Sequence, residues 1–227
     1  MQPYFFPYIG YFQLISAVNK FVIYDDVNYI KQGWINRNRI LLAGKPFLVS
    51  IPIKNRSSFQ KINQSQISYN RNWQVKLIKT LTSAYKKAPF FETTLALVDS
   101  VIAPQPETIS SLAMSSIVQV SAFLRIPMSI VRSSTVYENA HLPGQARIID
   151  ICLHEKARIY VNSDGGKNLY SKEAFKAFEL DLKYLKPQLV AYDQHIPHFV
   201  PGLSIIDVLM FNSPEQVRMM LEACSLE

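Results

Sequence analysis

Glycine is scarce in this chain, with 7 residues in 227, and cysteine is scarcer still, with 2. Cys152, on an apolar helical stripe, and Cys224, near the C-terminus, give neither a disulfide framework nor metal-binding spacing, so free thiols are expected. No apolar run comes near the roughly 20 residues that a bilayer crossing needs. The first basic residue is Lys20, and Gln13 and Ser16 interrupt the apolar run ahead of it, which does not fit a secretory leader. A cytoplasmic protein is therefore expected. There is no GxSxG or CxxC, and His141, His154, His195 and His198 form neither HxxxH nor HExxH. Pro197 keeps His195 and His198 off one regular helix. Covalent hydrolysis and a metal site both lack support in the sequence.

Acidic residues are missing from a long stretch. Residues 27–91 carry 12 Lys or Arg and no Asp or Glu, which leaves 12 basic against 17 acidic residues in the rest of the chain. The net charge of +7 is thus local. A basic segment inside an acidic remainder raises the potential over one face and favours an anionic partner, such as a nucleotide, sugar phosphate, acyl-phosphopantetheine or nucleic acid; an anionic small molecule is the expected one, and nucleic acid is not. Hydrophobic content of 48% against 18% charge is that of a chain able to build a core.

Residues 1–6 read as a short strand and residues 10–18 as a helix, with Ile9, Phe12, Leu14, Ile15 and Val18 near helical spacing. Residues 20–24 are continuously apolar, as buried parallel strands are, and end in Asp25-Asp26. This is a compact βαβ unit, whose ligands lie beyond the carboxyl ends of the strands. Residues 39–42 and 47–53 predict a hairpin joined through Gly44, and helices are expected over 71–86, 89–102 and 107–124. A second strand, loop and helix series follows, with strands at 128–132 and 158–161 and helices over 145–156 and 171–178. Further strands are expected at 182–185 and 188–192. Ser204 and Ser213 stand in N-cap positions of two closing helices. The elements predict one α/β, Rossmann-like domain over residues 1–227 with a mostly parallel sheet. The hairpin and loop of 39–68 and the helical block of 71–124 are insertions in it.

Several side chains are placed to carry chemistry. Asp25 and Asp26 end a strand, where a carboxylate serves as a base or holds Mg²⁺ against a phosphate. Pro7 and Gly10 shape the first loop, and Tyr8 and Tyr11 are its expected ligand contacts. Downstream, Lys31, Arg37 and Arg39 suit phosphate or carboxylate binding, with Trp34 as a stacking platform. In an extended chain Asn36 and Asn38 face the other way from the two arginines, and their amides suit sugar hydroxyls. In the loop from Asn162 to Gly165 and Gly166, small residues let backbone N–H groups approach an anion, with Tyr170 on the same edge.

Five stretches carry a resemblance to a known family: QPYFFPYIGYFQLI (2–15), FVIYDDVNYIKQGWINRNRI (21–40), GQARIIDIC (144–152), NSDGGKNLYSKEAF (162–175) and LSIIDVLMFNS (203–213). Through these the chain resembles the WbqC-like proteins of bacterial surface-polysaccharide (O-antigen) gene clusters. The resemblance implies a cytoplasmic protein of surface-polysaccharide (lipopolysaccharide O-antigen) assembly acting on a nucleotide-linked amino sugar, and it gives no reaction; with the basic segment beside the first βαβ edge, the expectation is a transferase that modifies that sugar, N-acylation being one such reaction. The strand, Pro-x-x-Gly loop and helix also resemble the start of the nucleotidylyltransferases. Both histidines of their HxGH signature are absent, so adenylyl transfer by that mechanism does not simply carry over, and a nucleotidylyltransferase-like enzyme is the second reading. A non-enzymatic binder of polyanions or of a protein partner is the reading from a third class.

Overall fold

In the computed structural model, residues 1–70 and 72–227 are described, and the chain forms eight α-helices and seven short strands among them. The Ile9–Ser16 helix (α1) leads to the strand Lys20–Val22 (β1), which pairs in parallel with Ser129–Val131 (β4). Between them come the hairpin Arg37–Leu42 (β2) and Lys45–Ser50 (β3), and the helices Trp73–Tyr85 (α2), Phe91–Ile102 (α3) and Ile109–Phe123 (α4). The expected helix over 71–86 is α2; Arg71 itself lies outside the described residues. Residues 25–29 do not enter a sheet. They bond instead to residues 60–63 through Tyr29 N–H to Gln60, Ile62 N–H to Val27 and Asn63 N–H to Asp25.

After β4, Gly144–His154 (α5) leads to Ile159–Ser163 (β5) and then to Lys172–Lys176 (α6). Asp181–Pro187 (β6) lies parallel to β5, while Cys224–Leu226 (β7) pairs antiparallel on its other side. The strand expected at 188–192 does not form. Pro187 ends β6, and Gln188 N–H turns to the carbonyl of Ala223, so the C-terminal segment takes that place. Ile205–Phe211 (α7) and Pro214–Leu221 (α8) are the two closing helices. Their expected caps are present: Ser204 accepts from Ile206 N–H, and Ser213 forms a capping box with Gln216.

The α/β class therefore holds, and two strand pairs are parallel, but one continuous Rossmann sheet is not seen. The described strands fall into three small sheets, β1 with β4, β2 with β3, and β5-β6-β7. Residues 1–6 form no regular strand either, because Phe5 N–H bonds to Ile35 and Phe6 adopts a left-handed φ of 41°. Two apolar clusters fill the fold. The larger joins α1, α2, α3, α4, α7 and α8 to the hairpin and β1. The smaller packs Ile148, Ile149 and Cys152 of α5 and Phe175 of α6 against Leu182 and Tyr184 of β6. Leu185 of β6 belongs to the larger cluster, so alternation along β6 gives the sheet one core on each face.

Candidate functional site

Parallel pairing brings the carboxyl ends of β1 and β4 to one edge, where Tyr24-Asp25-Asp26 meets Ser133-Ser134. Asp25 Oδ1 accepts from Ser133 Oγ at 2.7 Å and Oδ2 from Ser110 Oγ at 2.6 Å, while Asp25 N–H donates to Ser134 Oγ. Asp26 accepts from Ser134 Oγ and, at 2.5 Å, from Nη2 of Arg147. Arg147 is buried; its Nε donates to Asn139 Oδ1 at 2.9 Å, and its guanidinium lies 4.9 Å from the Tyr24 ring centroid. Burial by itself would raise the pKa of Asp26, but the hydrogen bonds from Arg147 and Ser134 and the positive charge outweigh it and hold the carboxyl below its usual value.

These bonds tie β1, β4, α4 and α5 together. Both carboxylates are buried and already accept hydrogen bonds, so neither presents a free oxygen to a substrate as it stands. Mg²⁺ fits poorly here, since it needs oxygen ligands without competing protons. Among the described residues, no group of three or more His, Cys, Asp or Glu is placed to hold a metal.

The first loop leaves from the same edge. Met1 N donates to Val22 O and Tyr24 N–H to Met1 O, so the chain enters residues 2–8 beside Tyr24. The left-handed Phe6 is held by donation of its N–H to Ser116 Oγ and by its carbonyl, which accepts from Asn38 Nδ2 at 2.6 Å and Ser204 Oγ at 2.7 Å. Without such anchors a bulky residue at positive φ costs on the order of 1–3 kcal/mol. Pro7 is buried and its carbonyl takes the N–H of Ile205. The Tyr8 ring lies across Gly10, where an added Cβ would stand 2.4 Å from Tyr8 Cε2, so Gly10 is what lets the ring settle there. Tyr8 keeps partial exposure, whereas Tyr11 is core, with its hydroxyl donating to Gln2 O and its ring against Phe21. Burial pushes both phenols above their ordinary pKa.

On β2 the expected alternation is present. Asn36 and Asn38 point inward and Arg37 and Arg39 outward. The inward amides bond to the chain: Asn36 accepts from the Tyr29 hydroxyl and donates to Ile51 O, and Asn38 donates to the carbonyls of Phe5 and Phe6. Arg37 closes the preceding turn by donating to Gly33 O and Gln32 O. Arg39 is freer. Its Nη2 makes one long bond of 3.3 Å to Gly202 O, and its buried Nε has no partner among the described residues. The two guanidinium groups stand 5.3 Å (Arg39) and 5.8 Å (Arg37) from the ring centroid of Trp34, which is 40% exposed. Ser204 links this strip to the first loop, since its N–H donates to Arg39 O and its hydroxyl to Phe6 O. Lys31 is exposed three residues before Trp34.

The loop after β5 is a short 3-10 turn, Asp164–Leu169. Asn162 is buried and its Nδ2 lies where a Cβ on Gly166 would reach to 2.4 Å, whereas a Cβ on Gly165 would meet nothing within 4 Å. Tyr170 packs on Tyr160 with centroids 5.8 Å apart, and burial raises the pKa of both and of Tyr24. The structure thus gathers Tyr24, Asp25 and Asp26 with the end of β4, and Trp34, Arg37 and Arg39 with the first loop.

Arg147 and Ser110 were not singled out by sequence reasoning. The signal for Arg147 was a charged residue on the buried phase of α5, one turn before Ile151. Gln13 was also missed: this fully buried amide, in an otherwise apolar helix, has its Nε2 within 2.8–3.0 Å of the carbonyls of Gln188, Met220 and Ala223.

Comparison with known proteins places the chain in context. No solved structure matches it. Over 225 residues it is 27% identical to the uncharacterized protein Rv1507c of Mycobacterium tuberculosis, with 96% of each chain covered. The WbqC-like protein family matches residues 2–219. With nearly the whole length matched, the chain belongs to the WbqC-like protein family.

Proposed function

We propose that this protein is a transferase of surface-polysaccharide assembly that binds a nucleotide-linked amino sugar and acylates its amine. The observation that carries the reading is the pair Arg37 and Arg39 against an indole that is 40% exposed, with the Arg39 guanidinium held by one long bond to Gly202 O. A guanidinium with N–H donors to spare takes a phosphate or carboxylate, and an indole face takes a flat ring. The acid-free basic segment of 27–91 surrounds this strip and attracts an anion to it. Tyr8, partly exposed and bridged to Ser204, is the adjoining contact from the first loop.

In N-acylation the amine nitrogen bonds to the acyl carbon of a thioester, the carbon–sulfur bond breaks, and the proton released by the amine goes to the departing thiolate. Asn36 and Asn38 then serve by fixing the loop and strand that carry Tyr8 and Arg39. Asp25 and Asp26 support the edge and act on a proton only after a serine or Arg147 gives way.

A thermal-shift panel of nucleotide sugars, ATP and acyl-CoA tests the reading, because a ligand at 100 times its Kd stabilises by about 2.7 kcal/mol. A nucleotide sugar should stabilise selectively. Arg39→Ala should weaken its binding by about tenfold or more, the worth of a charge-assisted hydrogen bond. Undiminished affinity in that variant refutes the assignment, and stabilisation by any polyanion that fades with salt favours a non-enzymatic binder.

A further inference from the structure

Within the acid-free stretch two loops come together as one exposed ridge. Tyr29 N–H donates to Gln60 O and Ile62 N–H to Val27 O, so residues 27–30 run antiparallel to residues 59–62, with Asn28 facing Lys61. That register sets Ile30 opposite Phe59. Tyr29 is buried, and alternation therefore sends Asn28, Ile30, Phe59 and Lys61 to the outer side. Phe59 is 90% exposed and Ile30 50%. Single apolar side chains scattered over a surface need no explanation, but two that face each other at a loop tip do. Both stand on turns closed by local bonds, Phe59 N–H to Ser57 Oγ at 3.2 Å and Gly33 N–H to Ile30 O at 3.0 Å.

The bases around this tip are unbalanced. Lys31, Lys54 and Arg56 are exposed and Lys61 is half-buried, and none of the four forms an ion pair among the described residues. Burial raises the pKa of the Tyr29 phenol and the charges of Arg56 and Arg37 pull part of that rise back, which places Arg56 beside the first loop. A partner for the ridge must be anionic and apolar at once. Nucleic acid offers phosphates to the bases but no apolar layer to receive Ile30. Protein interfaces are depleted in lysine, whereas three of these four bases are lysines. An anionic bilayer supplies both halves: aromatic side chains settle at its headgroup level, and each Lys or Arg near its surface adds about fivefold in affinity.

We infer that residues 28–31 and 54–61 form a docking face for a membrane rich in anionic phospholipid, with Phe59 and Ile30 entering the headgroup layer and Lys31, Lys54, Arg56 and Lys61 against its phosphates. The contact is peripheral, since no helix among the described residues is long and apolar enough to cross a membrane. The turn that carries Ile30 is the one Arg37 closes through Gly33 O and Gln32 O, so docking sets the strip of Trp34 and Arg39 next to the bilayer surface. The inference goes beyond the proposed transferase activity and needs no nucleotide sugar.

The test is co-sedimentation of the 227-residue protein with vesicles of phosphatidylglycerol and phosphatidylcholine in equal parts, against vesicles of phosphatidylcholine alone. The protein should pellet with the anionic vesicles and stay in solution with the neutral ones, and added salt should release it. Phe59→Ser should weaken binding by about tenfold or more. Lys54→Gln combined with Arg56→Gln should weaken it by about twentyfold or more. Phe59→Ser should keep the parent's Tm and its stabilisation by a nucleotide sugar, which separates this outcome from that of the transferase reading. In the Phe59→Trp variant the added indole emission should shift to the blue on anionic vesicles. Protein left in solution with the anionic vesicles overturns the inference. So does binding unchanged by Phe59→Ser, or equal affinity for polyglutamate or duplex DNA, since the face then reads charge alone.

Discussion

Replacing Arg147 by methionine isolates the ion pair at the carboxyl edge. In the native fold the Arg147 and Asp26 side chains are 3% and 6% exposed, and the same guanidinium donates to Asn139 and covers Tyr24. Methionine keeps much of the length and apolar contact of the arginine stem but leaves Asp26 with Ser134 alone. Removing one partner of a buried pair costs about 3–5 kcal/mol, because the other charge stays in a poorly solvating site. For a chain of this length that corresponds to a fall in Tm of about 6–20 °C. Urea unfolding followed by circular dichroism reads the loss as a lower midpoint at unchanged slope.

The companion variant Asp26→Asn should also destabilise, and the double variant should cost less than the sum of the two, by about 1–3 kcal/mol. Acid titration gives an independent readout. The Asp26 pKa is depressed in the fold, so its contribution is fully present above the unfolded value of 3.8 and is lost as pH falls below that toward the folded value. Asp26→Asn should therefore flatten the part of the stability profile below about pH 4. Single-variant losses under about 1 kcal/mol, or costs that simply add, would refute the reasoning, since they would mean that the pair is solvated or uncoupled.

Gln13→Leu should lower the stability read from the urea midpoint by about 1–3 kcal/mol, because it leaves the carbonyl of Gln188 without a donor among the described residues, whereas those of Met220 and Ala223 keep the N–H groups of Ala223 and Gln188; a variant as stable as the parent would show that water satisfies it. Iodoacetamide at pH 8 should label Cys224 well before Cys152, as followed by mass spectrometry. Burial pushes the Cys152 thiol up to about 12, whereas Cys224 keeps partial exposure. Equal rates would show that reagent reaches Cys152 freely.

The order of elements was legible in local signals. Apolar spacing located the helices, Pro and Ser marked their starts, and continuous apolar runs marked β1, β4 and β5, because these signals act within a few residues. The outward set of Arg37 and Arg39 and the inward set of Asn36 and Asn38 followed from the two-residue period of a strand. What Asn38 bonds to did not follow, since the carbonyls of Phe5 and Phe6 lie more than thirty residues earlier in the chain. The pairing of β6 with residues 224–226, rather than a strand at 188–192, was equally out of reach, because strand partners are chosen by long-range packing.

Sequence by itself thus determined the helices and most of the strands, the local excess of positive charge and the family. Only the tertiary structure decided that Asp25 and Asp26 close a buried network with Ser110, Ser133, Ser134 and Arg147. It likewise showed that Arg39 is the cation of the strip with a buried nitrogen that has no partner among the described residues. The physical reason is that a carboxylate or guanidinium is defined by its neighbours: the same residue type is an open ligand group or a saturated strut according to which distant donors fold against it.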